Sequence, residues 1–325
     1  MIPTIDIAAL FAGPSLTRDA TDAAIRDAAQ AIGFMTATGL PGGALDPTMR
    51  KRLLAVFGLP QAQKRAMSRK GFAPENANVY RGWFPLQEGF PTFKEGTDLG
   101  PDLVRPVAHD PADPLTEPTP LPAEADLPGW RAAVADYYRA MEATGAVLMQ
   151  ALARGLGLEE STFDAAFRNG ISTLRLIRYP VRPLEELDPS LRIDGGYMLG
   201  APHVDSGFVT LLAQDGVAGL QVEDRAGQWI GIPPGEGTLV VNFGKLLERW
   251  TDGRVRATRH RVVGAGTERF SIPFFYEPAV DAMIAPLGLG ESFTPVSYGD
   301  HLWEATTKFI EQRGIAHLRQ PRAAQ

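Results

Sequence analysis

The most informative residues in the chain are His203-Val-Asp205. On an extended strand alternate side chains share a face, so this spacing sets an imidazole beside a carboxylate, both metal ligands in their common protonation states. A second imidazole, His260, sits well downstream in the strand-like run Thr258-Arg-His-Arg-Val-Val263. Two histidines and one carboxylate on one side of an iron leave its other positions open for a chelating cosubstrate and O2. Arg269-Phe-Ser271 repeats the alternation, directing a guanidinium and a hydroxyl to one face of an otherwise apolar strand with Ile272, Phe274 and Phe275. A planar fork beside a hydroxyl suits a carboxylate in a dry pocket. Burying the arginine unpaired would be costly, so it needs either such a ligand or an internal acid such as Glu277.

The elements that must position these groups are legible from periodicity. From Ser172 onward short β-rich runs follow one another between Gly, Pro and Asp: Leu174 to Tyr179, Phe208 to Gln214, Leu220 to Glu223, Trp229 to Ile232, Thr238 to Asn242, His260 to Val263 and Arg269 to Tyr276. Their close spacing predicts a barrel or sandwich rather than alternating β-α units. Upstream, Ile2 to Ile7 reads as a strand and Thr17 to Ile32 as an amphipathic helix ended by Gly33. Asp46-Pro47 reads as a helix start. Trp130 to Leu152 carries apolar residues at helical spacing along the longest helix, the expected support of a sheet. Between Gly71 and Pro122 the pattern gives way to Gly, Pro and aromatics, with Tyr80 to Pro85 and Phe90 to Phe93 as an ordered loop and Pro111 to Pro122 as a tether. A closing helix is expected from Asp300 to Arg313.

Composition narrows the function. A formal net charge of −6 offers no field to gather nucleic acid or an anionic membrane. The 0 cysteines exclude disulfides, zinc-thiolate sites, iron-sulfur clusters and cysteine nucleophiles, leaving His and carboxylate for metal chemistry. Met1 to Leu10 lacks the pattern of a secretory leader, and a soluble cytoplasmic protein is expected, its oligomeric state open.

The chain resembles the isopenicillin N synthase-like branch of the 2-oxoglutarate/Fe(II)-dependent dioxygenases. The resemblance runs through Leu174-Arg-Leu-Ile-Arg-Tyr-Pro180, Gly200-Ala-Pro-His-Val-Asp-Ser-Gly207, Gln214-Asp-Gly-Val-Ala-Gly-Leu-Gln-Val222, Val241-Asn-Phe-Gly244, Arg249-Trp-Thr-Asp-Gly253, His260-Arg-Val262 and Arg269-Phe-Ser-Ile-Pro-Phe-Phe275. It implies a mainly β fold with flanking helices around a double-stranded β-helix (jelly-roll, cupin-like) core. One oxygenase domain over 1–325 follows: a helical leader and substrate loop (1–122), supporting helices (123–170), the jelly roll (171–285) and a C-terminal helix (286–325). It further implies Fe(II) on His203, Asp205 and His260, and 2-oxoglutarate on Arg269, Ser271 and Tyr179, with O2 as the oxidant. The family's asparagine two residues before that tyrosine is Ile177 here, and Thr38-Gly39 stands where many members carry Asn-His.

The activity implied is oxidation, above all hydroxylation, of a small molecule with release of succinate and CO2. Tyr80, Arg81, Trp83 and Phe84 on the loop, with Arg175 and Phe275 on strands, are the candidate substrate contacts, the stretch from Tyr80 to Phe84 reading equally as a loop tacked onto the core by its aromatics. The arginines favour an anionic substrate such as an amino or organic acid. Competing readings are an ethylene-forming enzyme, whose segments Arg175 to Pro180 and Ser297 to His301 also resemble, and an oxidase that needs no 2-oxo acid. Outside this chemistry stand a non-catalytic jelly-roll binding protein with a structural metal, and a cupin-like enzyme using manganese or nickel.

Overall fold

The structure, a computed structural model, describes residues 1–87, 92–182, 187–193, 196–264, 266–288, 293–312 and 314–321. Phe90 and Pro91 of the aromatic loop, and Arg313 at the expected end of the closing helix, lie outside the described residues.

The helices are α1 (Leu16–Ala31), α2 (Pro47–Leu54), α3 (Gln61–Ala66), α4 (Trp130–Gly155), α5 (Asp164–Phe167), α6 (Lys245–Trp250) and α7 (Tyr298–Thr306). The strands are β1 (Thr4–Asp6), β2 (Phe34–Thr38), β3 (Gly82–Phe84), β4 (Glu95–Leu99), β5 (Thr173–Tyr179), β6 (Arg192–Ile193), β7 (Gly196–His203), β8 (Val209–Gln214), β9 (Leu220–Glu223), β10 (Trp229–Gly231), β11 (Leu239–Phe243), β12 (His260–Gly264), β13 (Arg269–Tyr276), β14 (Met283–Ile284) and β15 (Val296–Ser297). A major sheet runs β1-β2-β11-β8-β13-β5-β4-β3 and a minor sheet β10-β9-β12-β7-β6. The two face each other as the jelly roll: Ile177 and Tyr179 of the major sheet pack with Tyr197, Leu199 and Val262 of the minor one.

Strand alternation assigns the two faces of the major sheet. On β13, Phe270, Ile272, Phe274 and Tyr276 turn one way; Phe274 meets Tyr138 of α4 edge-on at 4.9 Å between ring centroids. Gly145 lies so close beneath Tyr276 that an added Cβ would come within 2.5 Å of its ring, which is why α4 has no side chain there. Arg269, Ser271, Phe275 and, just past the strand, Glu277 turn the other way, toward the minor sheet. Tyr179, Ile177, Arg175 and Thr173 share that inner face on β5, the register pairing Arg269 with Tyr179 and Phe275 with Thr173. A 26-residue helix packed on the outer face thus leaves the inner face free for a site.

Three expectations are corrected. The stretch from Gly71 to Pro122 supplies β3 and β4 to the major sheet. Its sequence hid this because β4, Glu95–Leu99, is buried at every position by pairing charge rather than by apolar alternation: Glu95 meets Arg178 and Asp98 meets Arg175. The segment expected as a tether is packed, since Asp113 pairs with Arg319 and the Glu117 carboxylate accepts the backbone N–H groups of Val79 and Tyr80. The closing helix stops at Thr306, and a separate 3-10 turn, Ile310–Gln312, follows.

Candidate metal centre and adjoining cavity

β7 and β12 are antiparallel neighbours whose register sets His203 directly opposite His260, with imidazole centroids 4.3 Å apart. β7 ends at His203, so Asp205 lies in the turn beyond it rather than on the strand, yet its carboxylate still reaches back to both rings. Asp205 Oδ1 stands 3.6 Å from His203 Nε2 and 3.7 Å from His260 Nε2. Among the described residues this is the cluster of three such groups able to hold a metal ion, its donor atoms all within 4.8 Å of one another.

Each side chain is oriented by its other end. His203 Nδ1–H donates to the Ala201 carbonyl at 2.8 Å and His260 Nδ1–H to the Thr258 carbonyl at 3.1 Å. A carbonyl can only accept, so both Nε2 atoms carry lone pairs aimed at the centre. Asp205 Oδ2 accepts from Thr210 Oγ1 at 2.6 Å and Asn242 Nδ2 at 2.8 Å, leaving Oδ1 for a ligand. Burial and the neighbouring His260 push His203 down to about 4, which keeps its ring neutral. Burial works against the Asp205 charge, but the two imidazoles and the two hydrogen bonds outweigh it and lower its pKa. Two imidazoles and an ionised carboxylate, each fixed from behind, fit a divalent transition-metal ion.

A cavity of about 420 Å³ opens over these residues. Tyr80, Arg175, Tyr179 and Phe275 line it, as expected from the sequence. Arg269 and Ser271, 1% and 2% exposed, lie off its open wall; the guanidinium stacks 5.2 Å from the ring centroid of Tyr179, which does face the cavity. Arg269 bonds Gln214 Oε1 at 3.4 Å, while its Nε and Nη1 find no partner, and among the described residues no acid forms an ion pair with it. Glu277, the internal acid weighed for it, bonds Thr173 instead. Two orphaned guanidinium donors next to a serine fit a carboxylate ligand.

Arg81, Trp83 and Phe84 stand off the wall. Arg81 donates to the Ile171 carbonyl beneath the loop, Trp83 packs on Phe57 at 5.4 Å, and Phe84 supports the guanidiniums of Arg69 and Arg175 from behind. Trp83 and Phe84 lie in β3, a three-residue strand buried throughout, and Arg81 just before it, so these groups serve packing. The cavity wall also includes residues not expected: Lys94, Glu277, Phe309 and Glu311. Lys94 Nζ and Glu311 Oε1 pair at 2.9 Å, and Arg175 clamps Asp98 through Nε and Nη2 at 2.6 and 2.8 Å. Extending the β13 alternation two residues past Phe275 reaches Glu277; nothing local marked Glu311, which arrives from beyond α7.

A family model described as the 2OG-Fe(II) oxygenase superfamily matches residues 171–278. The sequence is 31% identical to an isopenicillin N synthase of Streptomyces clavuligerus, covering 96% of this chain and 97% of that one. It is 34% identical to the proline hydroxylase buaE of Petromyces alliaceus, covering 71% and 72%. Among solved structures, a full-length Neurospora crassa protein in complex with alpha-KG matches with a TM-score of 0.81 at 26% identity, covering 95% of this chain and 96% of that one. Among the described residues no helix is long and apolar enough to cross a membrane.

Proposed function

Since the chain belongs to the 2OG-Fe(II) oxygenase superfamily and is a 2-oxoglutarate- and Fe(II)-dependent dioxygenase acting on a small molecule, we propose that His203, Asp205 and His260 hold its iron and that Arg269, Ser271 and Tyr179 hold the cosubstrate. The observation that carries this is the convergence of Nε2, Nε2 and Oδ1, with every opposite donor or acceptor already engaged by the protein. When bound, iron with 2-oxoglutarate and O2 supplies an oxidation that hydroxylates a substrate C–H and releases succinate and CO2.

The residues supply position and exclusion of water. Thr210 and Asn242 fix the Asp205 carboxylate so that one oxygen faces the ion. Arg269, with two unpaired donors, grips the distal carboxylate of the cosubstrate while Ser271 adds a hydroxyl. These orphaned donors favour a dicarboxylate-using enzyme over an oxidase that uses none. Arg175, held by Asp98, and Lys94 favour an anionic substrate, and the apolar Phe275, Leu302 and Ile310 close around its body.

The test is succinate formation from 2-oxoglutarate under air with Fe(II) and a panel of small organic acids. Succinate formed only when Fe(II), 2-oxoglutarate and O2 are all present, and abolished in Asp205→Ala, is the expected result. Unaltered formation in that variant would overturn the assignment of the iron ligands.

A further inference from the structure

Among the described residues six carboxylates are essentially buried: Asp22, Glu95, Asp98, Asp113, Glu277 and Glu311. Five have a cation of their own: Asp22 pairs with Arg154, Glu95 with Arg178 and Lys64, Asp98 with Arg175 and Arg69, Asp113 with Arg319 and Glu311 with Lys94. Glu277 alone has none among the described residues, although it is 6% exposed and forms part of the cavity wall. Its side chain accepts from Thr173 Oγ1 at 3.1 Å. Ser172 Oγ accepts from its backbone N–H, so the turn it sits in does not need the carboxyl.

Leaving a buried carboxyl without a counter-charge is costly, and burial pushes the pKa of Glu277 up to about 7. Its surroundings relieve this only in part: Tyr298 on α7, Thr173 and the charge of Arg81, just before β3, lower the pKa, Asp98 on β4 raises it, Tyr80 and Tyr138 on α4 also lie near, and none of these forms an ion pair with it. On the same inner face, one strand over, Arg175 spends Nε and Nη2 on Asp98 and keeps Nη1, with Lys94 also on the cavity wall. The cavity therefore presents cationic donors and, across Thr173, an acid that forms no ion pair among the described residues.

Building on the oxygenase reading above, we propose that Glu277 is the specificity-determining residue: it takes the amino or imino nitrogen of a small amino-acid substrate whose carboxylate lies toward Arg175 and Lys94. The bound nitrogen supplies the counter-charge the fold withholds, while the deamino acid of the same chain length leaves Glu277 unpaired. A site built to bond a polar group rejects the analogue lacking it more strongly than it rejects a change of hydrocarbon size.

The test uses the iron-loaded full chain. Binding of 2-oxoglutarate is measured first, so that a failed oxygenase reading shows itself there, before any substrate is added. Succinate release is then followed with free L-amino and cyclic imino acids, each beside its deamino organic acid. Stimulation by at least one amino or imino acid, at least about tenfold above its deamino partner in kcat/KM, is expected, tenfold being the low end for a charge-assisted hydrogen bond. With that substrate kcat/KM should rise with pH through about 7, and Glu277→Gln should remove the inflection and raise KM more than it lowers kcat. Equal stimulation by amino and deamino acids, or a preference that survives Glu277→Gln, overturns the proposal. The wild-type comparison decides by itself if the variant does not fold.

Discussion

Replacing Arg269 by methionine separates a ligand anchor from a structural cation, because the two roles predict opposite changes. The wild-type guanidinium is buried with Nε and Nη1 unpaired, a cost of about 1–3 kcal/mol for each orphaned donor. Against that, Arg269→Met loses the stack on Tyr179 and the bond to Gln214, together about 2 kcal/mol. The ligand-free protein should therefore keep its stability or gain up to about 4 kcal/mol. Binding moves the other way. Two charge-assisted hydrogen bonds to a carboxylate contribute at least about 3 kcal/mol, so affinity for 2-oxoglutarate falls about 150-fold. At a concentration 100 times the wild-type Kd the ligand stabilises wild type by about 2.7 kcal/mol and the variant by about 0.3 kcal/mol. Anaerobic denaturant melts with and without 2-oxoglutarate, checked by titration calorimetry, measure both quantities. A variant that is several kcal/mol less stable without ligand, yet still gains the full stabilisation from it, would refute the reasoning.

Asn242→Leu removes one of the two bonds that aim Asp205, and metal affinity should fall about 10- to 100-fold in competition with a chelator. Asp98→Asn leaves Arg69 and Arg175 without their shared acid and should cost about 3–5 kcal/mol in urea unfolding. The pH dependence of stability carries two opposite signs. Glu311, where Lys94 and Arg175 overcome burial and hold the pKa at about 2, contributes stability above about pH 4.5 that is lost as pH falls toward 2. Glu277, pushed up to about 7 by burial, retains its proton when folded, so its contribution is full below about pH 4.5 and is lost as pH rises through 7. Difference melts of Glu311→Gln and Glu277→Gln against wild type should show slopes of opposite sign in those two windows.

Among the strands around the site, β9 and β13 announced themselves as simple apolar patterns between turns, and the ends found for Leu220–Glu223 and Arg269–Tyr276 coincide with those read from sequence, whereas β7 was legible only as the alternation His203-Val-Asp205, of which Asp205 lies past the strand's end. His203 and His260 were legible as residue types, but their cross-strand pairing is a long-range fact that only the register of β7 and β12 supplies. What was hidden shares a physical cause. β4 is buried through ion pairs, the 3-10 turn at Pro114–Thr116 is built from side-chain bonds to backbone, and Lys94 meets Glu311 across most of the chain. Charges that solvate one another leave no hydrophobic period, so periodicity reads them as loop. The same blind spot placed Arg81, Trp83 and Phe84 among substrate contacts: aromatic density marks either packing or recognition, and here their neighbours Phe57, Ile171 and Arg69 determine that it is packing.

The iron assignment requires that His203, Asp205 and His260 surround one ferrous ion that 2-oxoglutarate can chelate. Its most direct test is anaerobic titration of the Fe(II)-loaded protein with 2-oxoglutarate, followed by visible absorbance, in wild type and His260→Ala. A weak charge-transfer band that saturates at one equivalent in wild type and is absent from the variant is the expected result. No band in wild type, or the same band in both, would contradict it.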